Sequence, residues 1–80
     1  MPTFVLEHRH APSECGAAFA AWKGFASPLS GGHVLASCLD GGHRVWWTVV
    51  ARTPEAALAQ LPEFVGERTV VHRVREVPVP

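Results

Sequence analysis

The segment 33–52, "HVLASCLDGGHRVWWTVVAR", constrains the fold more than any other part of the chain. Two runs of aliphatic, β-branched and aromatic residues flank Asp40-Gly41-Gly42. A tight primed turn needs positive φ, which glycine adopts without steric cost, so the triplet predicts a two-residue β-hairpin turn. Strand residues alternate between faces. Placing the turn at Asp40-Gly41 or at Gly41-Gly42 shifts the register by an even number of residues, so the faces are the same either way. Val34, Ala36 and Cys38 share a face with Val45, Trp47 and Val49, and this apolar face belongs under helices. The opposite face carries His33, Leu35, Ser37 and Leu39 with Arg44, Trp46, Thr48 and Val50.

The flanking sequence supplies the other elements. "TFVLEHR" (3–9) reads as a strand that stops at Ala11-Pro12, although Phe4, Val5 and Leu6 are all apolar and leave its faces undefined. Ser13 is the expected N-cap of a first helix, with Glu14 in its first turn. Cys15, Ala18, Phe19, Trp22 and Ala26 fall at helical spacing, and the helix should end near Gly24. Thr53-Pro54-Glu55 opens a second helix as N-cap, N1 proline and an acid at the positive dipole end. Its stripe is Ala57, Leu58, Leu61, Phe64 and Val65, with Pro62 breaking or re-aiming it and Gly66 closing it. "TVVHRVREVPV" is the last strand, with Pro78 confined to an edge or end.

The order is β-α-β-β-α-β. Two right-handed crossovers around a hairpin predict an α+β, ferredoxin-like single domain over 1–80. Its four-stranded antiparallel sheet carries both helices on one face. The other face would then expose Leu35, Trp46 and Val50, a patch of the kind that marks a partner or ligand surface. A second copy laid sheet to sheet would cover it, as a dimeric α+β barrel around a partly polar cavity lined by Trp46, Ser37, Thr48 and His33. The plainer alternative is a monomer with one exposed Trp.

Composition narrows the function classes. Seven Lys+Arg balance seven Asp+Glu, and the densest basic stretch, "HRVRE", contains its own Glu. This argues against nucleic-acid or anionic-membrane partners. No apolar run approaches the ~18 residues of a membrane span, and the N-terminus lacks the basic and apolar regions of a signal peptide. With two cysteines there is no disulfide framework, so a cytoplasmic protein is expected. Six Arg to one Lys, with abundant Ala, suits a GC-rich bacterium.

"EHRHAPSEC" (7–15) holds two of the five histidines and one of the two cysteines. In the expected topology His8, His10, Cys15, Cys38, His43 and His72 converge at one rim, and His33 lies at the other. Imidazole and thiolate suit zinc, nickel and copper, and two His at i and i+2 of a strand face the same way. Cys15, in a first helical turn, would have its thiolate favoured by the dipole. The expected ligands are His8, His10 and His43, with Cys15, Cys38 and His72 as further ligands or supports. Each residue also has a structural reading. His8 and His10 could sit at a solvated strand end, Cys15 and Cys38 could be core thiols, His43 a turn residue, and His72 satisfied by one hydrogen bond.

No CxxC, P-loop, GxGxxG or GxSxG is present, and no helix follows "SGG" or "DGG", so no catalytic residue is assigned. Two alternatives to metal binding stand. One is an enzyme using the sheet-face cavity. The other is a non-catalytic dimerisation module.

"SCLDGGHRVWWTVVARTPEAALAQLP" followed by "VVHRVREVPV" resembles small uncharacterised bacterial proteins of the dimeric α+β barrel superfamily. The shared pattern is a strand with a turn, an aromatic strand ending in a small residue, a helix opened by Thr/Ser/Asp-Pro-Glu, and a final strand ending in E-V. "VLEHRHAP" is similar, more loosely, to their first strand. The resemblance implies a head-to-head homodimer of ferredoxin-like subunits. One branch of these families binds nickel; other superfamily members are cofactor-independent monooxygenases, isomerases or haem proteins, none of whose catalytic motifs maps onto this chain. Together with the His/Cys rim, the expected cofactor is a divalent transition metal, nickel or zinc, and the expected partners are a second copy and a metal or small-molecule ligand.

Overall fold

Strand β1 (Thr3–Arg9) runs through the middle of a four-stranded sheet in the computed structural model, which describes residues 1–80. It is flanked by β3 (Arg44–Val50) and β4 (Thr69–Val74), and the short β2 (Leu35–Ala36) lies outside β3. The order is β2-β3-β1-β4, with every neighbouring pair antiparallel. Three short helices complete this small α+β fold: α1 (Cys15–Ala20), α2 (Pro54–Leu58) and α3 (Glu63–Gly66). None is long and apolar enough to cross a membrane.

The faces of β1, undefined by its sequence, are fixed by its two neighbours. Phe4, Leu6 and His8 are buried, opposite Val49, Trp47 and Val45 of β3. Val5 and Glu7 point to the other side, where they are only partly covered. The core joins Phe4, Leu6, Val49 and Ala51 to Ala57, Leu61 and Val65 from α2, α3 and their connection. Ala18 of α1 is buried against the same sheet face, beside His8, His10 and Val45. The opposite face is open, with Leu35, Val50 and Val70 exposed at 78%, 53% and 58%.

The second helical segment follows its sequence signals. Thr53 Oγ1 accepts a 3.0 Å hydrogen bond from the Ala56 N–H, Pro54 occupies the first turn, and Pro62 divides the segment into α2 and α3. The hairpin keeps the expected faces, with Leu35 opposite Trp46 and Ala36 opposite Val45.

Its turn does not match the two-residue form. β2 ends at Ala36, a 3₁₀ turn covers Cys38–Asp40, and Gly41 and His43 both take positive φ. Ser37 causes the change: its Oγ accepts from the Arg44 N–H (3.1 Å), and its carbonyl accepts from Asp40 and Gly42 (3.0 and 2.8 Å). Cys38 is therefore a half-buried loop residue, where a strand position was expected.

The start of the first helix also differs. Pro12–Glu14 forms a 3₁₀ turn with Ala11 at its cap position, and Glu14 Oε1 accepts from the Ala11 N–H at 2.9 Å. Ser13 lies inside that turn and does not cap. With Pro12 as the first residue of the turn, the cap position falls at Ala11, two residues before Ser13. Regular α-helix ends at Ala20, and single turns carry the chain to Gly24 at φ 75.

Candidate metal centre

Beyond Arg9 the chain keeps β1's direction for one more residue, and the His10 N–H donates to the His43 carbonyl at 3.2 Å. His10 thus follows Phe4, Leu6 and His8 on the covered face and is 4% exposed. Pro12–Glu14 then turns the chain so that Cys15, the first residue of α1, comes back beside it. From the other side, the Ser37–His43 loop brings Cys38 and His43 to the same rim. The ligand atoms of His10, Cys15, Cys38 and His43 all lie within 4.8 Å of one another. This cluster could hold a metal ion.

Two chain pieces supply it, each with one His and one Cys five positions apart, in opposite order: His10 with Cys15, Cys38 with His43. Cys38 Sγ is 3.6 Å from His10 Nε2. An ion about 2.3 Å from sulfur and about 2.05 Å from nitrogen holds tetrahedral S and N neighbours about 3.5 Å apart. The donor set fits such an ion. His43 adds a local signal: its φ is 51, outside the region most side chains adopt, and its Nδ1 is buried with no hydrogen-bond partner.

The surroundings favour uncharged side chains: an imidazole ready to ligate, and a thiol that must release its proton to do so. Burial lowers the pKa of His10, and the neighbouring His43 acts the same way. Burial raises the Cys38 thiol, and Cys15 beside it adds to the rise. Phe19 meets the His10 ring edge to face at 6.5 Å between centroids. An ion pair braces the turn that delivers Cys15: Arg68 donates from Nε to Glu14 Oε2 at 3.0 Å while its guanidinium lies 3.7 Å above the Phe64 ring.

His8 is close to the cluster, with its ring centroid 5.0 Å from that of His10, yet it lies outside the donor set. It is 1% exposed and engaged at both nitrogens: Nδ1 with Val65 O (3.1 Å) and Thr69 Oγ1 (3.3 Å), Nε2 with His10 Nδ1 (2.9 Å). Burial is the main reason its pKa is lowered, partly opposed by the Val65 carbonyl. His72 sits on the open face opposite Val5 and pairs with Glu7 Oε1 at 3.1 Å. It does not reach the rim on the covered side.

The residues expected around a sheet-face cavity are dispersed. Trp46 and Thr48 lie on the open face of β3, and Ser37 is tied to Arg44 in the hairpin loop. His33 lines a cavity of about 190 Å³ on the helix side with Phe19, Trp22 and Trp47. The sequence ranked His8 above the two cysteines. The paired five-residue His/Cys spacings, once the hairpin faces β1, are the signal that points to both thiols.

Comparison with protein-family models, with curated proteins and with solved structures gives no match.

Proposed function

We propose that this chain is a transition-metal-binding protein that holds one divalent ion, zinc foremost, on His10, Cys15, Cys38 and His43. The convergence of two imidazoles and two thiols within 4.8 Å carries the reading. Drawing the widest pairs together by about 1 Å gives tetrahedral spacing around zinc. A mixed sulfur and nitrogen tetrahedron suits zinc better than nickel, which takes square-planar or tetragonal sites. Ligation through His43 Nδ1 would give that buried, unpaired atom a partner. Four protein donors leave no position for substrate, so the site is one for binding and not catalysis. Only 12 of 80 residues are buried, and a core that thin gains from an ion tying α1 and the hairpin loop to β1. The alternative of a small-molecule enzyme is less well supported, because the open-face hollow of about 300 Å³ includes Thr48 but none of Trp46, Ser37 and His33, and His33 lines a separate cavity on the helix side.

The same reading takes the domain as ferredoxin-like and the molecule as a cytoplasmic homodimer of the dimeric α+β barrel kind. Strand order β2-β3-β1-β4, all antiparallel, supports the first. The exposed Leu35, Val50 and Val70 of the open face support the second. Sedimentation of wild type and Leu35→Glu tests the dimer; a wild-type monomer removes it.

Thermal melts of chelator-stripped protein with Zn²⁺, Co²⁺, Ni²⁺ or Cu²⁺ test the metal. An ion at about a hundred times its Kd adds about 2.7 kcal/mol, several degrees in a domain this small. Co²⁺ should also develop thiolate-to-metal absorption. No shift and no absorption with any ion would end the metal reading.

A further inference from the structure

A buried imidazole that makes no contact with solvent and offers no free nitrogen needs an explanation. His8 is one of the few fully buried side chains, and it lies outside the donor cluster. Its hydrogen bonds have a direction that the chemistry of its partners fixes. The Val65 carbonyl can only accept, so His8 Nδ1 carries the hydrogen facing it at 3.1 Å. Thr69 Oγ1 donates its own hydrogen to the same carbonyl (2.7 Å), leaving a lone pair for the longer His8 contact at 3.3 Å.

A neutral His8 protonated at Nδ1 has a bare Nε2. That atom lies 2.9 Å from His10 Nδ1, a separation that needs one hydrogen between the two nitrogens. His10 therefore donates from Nδ1, and its own Nε2 is bare. This is the nitrogen 3.6 Å from Cys38 Sγ, where the thiol S–H can donate to it. The other arrangement makes His8 an imidazolium with both nitrogens donating, a buried cation with no carboxylate hydrogen-bonded to it, which is costly.

We propose that His8 is a positioning residue that fixes the tautomer of His10. Through the relay from Val65 O to His8 to His10, it leaves His10 Nε2 unprotonated and facing the thiol, as the nitrogen that binds the metal. This rests on the metal reading for its consequence but not for its geometry. Ligating histidines commonly donate their second nitrogen to a fixed acceptor, which sets ring orientation and raises donor strength. Here a second histidine is that acceptor, itself fixed by a backbone carbonyl from the end of α3.

Long-range ¹H–¹⁵N NMR of the metal-free wild type tests the relay directly, because protonated and bare ring nitrogens have well-separated shifts. The expected pattern is protonated Nδ1 and bare Nε2 on both His8 and His10. A hydrogen on His10 Nε2, or an imidazolium at His8, overturns the proposal. Co²⁺ and Zn²⁺ titrations then read its effect. His8→Phe, which keeps the ring volume, should weaken metal binding about 10–100-fold. His8→Gln, which restores an oxygen acceptor near the Nε2 position, should recover most of that loss. Equal affinity in wild type and His8→Phe overturns the positioning role. If His8→Phe does not fold, the wild-type spectrum and His8→Gln still decide. A wild type that binds no metal would defeat the metal reading, and with it the ligand role of His10 Nε2; the metal-free spectrum would still settle the tautomer.

Discussion

Glu7 and His8 stand side by side on β1, and the two faces of the sheet use them differently. On the open face, Glu7 accepts from Arg44 at 3.2 Å and pairs with His72 at 3.1 Å, while the three side chains stay 28%, 40% and 47% exposed. Water can replace any of these partners. On the covered face, His8 has no water to turn to, and each ring nitrogen meets a partner fixed by the fold. Two histidines of one sheet, His72 and His8, thus have opposite meanings. A polar group that solvent could satisfy says little about function, whereas one that the fold must satisfy makes its neighbours' geometry specific.

The largest expected effect lies on the covered face. Cys38→Ser or Cys15→Ser should abolish the metal-dependent rise in Tm, the equivalent of about 2.7 kcal/mol at a hundredfold excess over Kd. A rise that survives both substitutions would place the ion elsewhere and dissolve the contrast between the faces.

Next is Gly42→Ala. A Cβ at Gly42 would stand 2.8 Å from Ser37 Cβ, so the loop holding Cys38 and His43 must shift. Overpacking of this kind costs about 1–3 kcal/mol. Chemical denaturation should show that loss together with weaker Co²⁺ binding; unchanged cobalt affinity would mean that the loop does not position the donors.

Acid should act on the buried pair. His8 and His10 are both lowered from 6.5, chiefly by burial. Below that value the unfolded chain takes up protons that the folded chain refuses, so stability is full above the ordinary histidine pKa and falls as pH drops from there toward the folded values. Denaturation midpoints of metal-free protein across this range should decline with acid, and His8→Phe should flatten the decline. A flat wild-type profile would contradict the burial of the pair.

The smallest effect belongs to the open face. Arg44→Ala breaks an exposed pair and should change stability by about 0–1 kcal/mol, with no change in metal affinity. A larger loss would show that this face is covered in solution.

What the sequence disclosed follows the same division between local and remote causes. Thr53-Pro54-Glu55 and the faces of β3 were legible because capping, proline geometry and strict alternation act within a few residues. The faces of β1 were not, since Phe4-Val5-Leu6 is apolar throughout and only pairing with β3 and β4 separates them. Cys38 was misplaced because the Ser37 side chain competes with the strand ladder, as short polar residues can. That His8 lies outside the cluster has the most remote cause: the carbonyl that engages it, Val65 O, is 57 residues away.

The division of the donor set between residues 10–15 and 38–43 has a consequence for how the molecule comes together. Neither piece alone offers more than two donors. The full set exists only after the hairpin has paired with β1, a contact between distant parts of the chain whose closure entropy slows folding. A nascent or partly unfolded chain would compete poorly for metal, and a finished one well. Metal uptake would then serve as a chemical proofreading step, retaining the ion only on chains in which the hairpin has completed its pairing with β1.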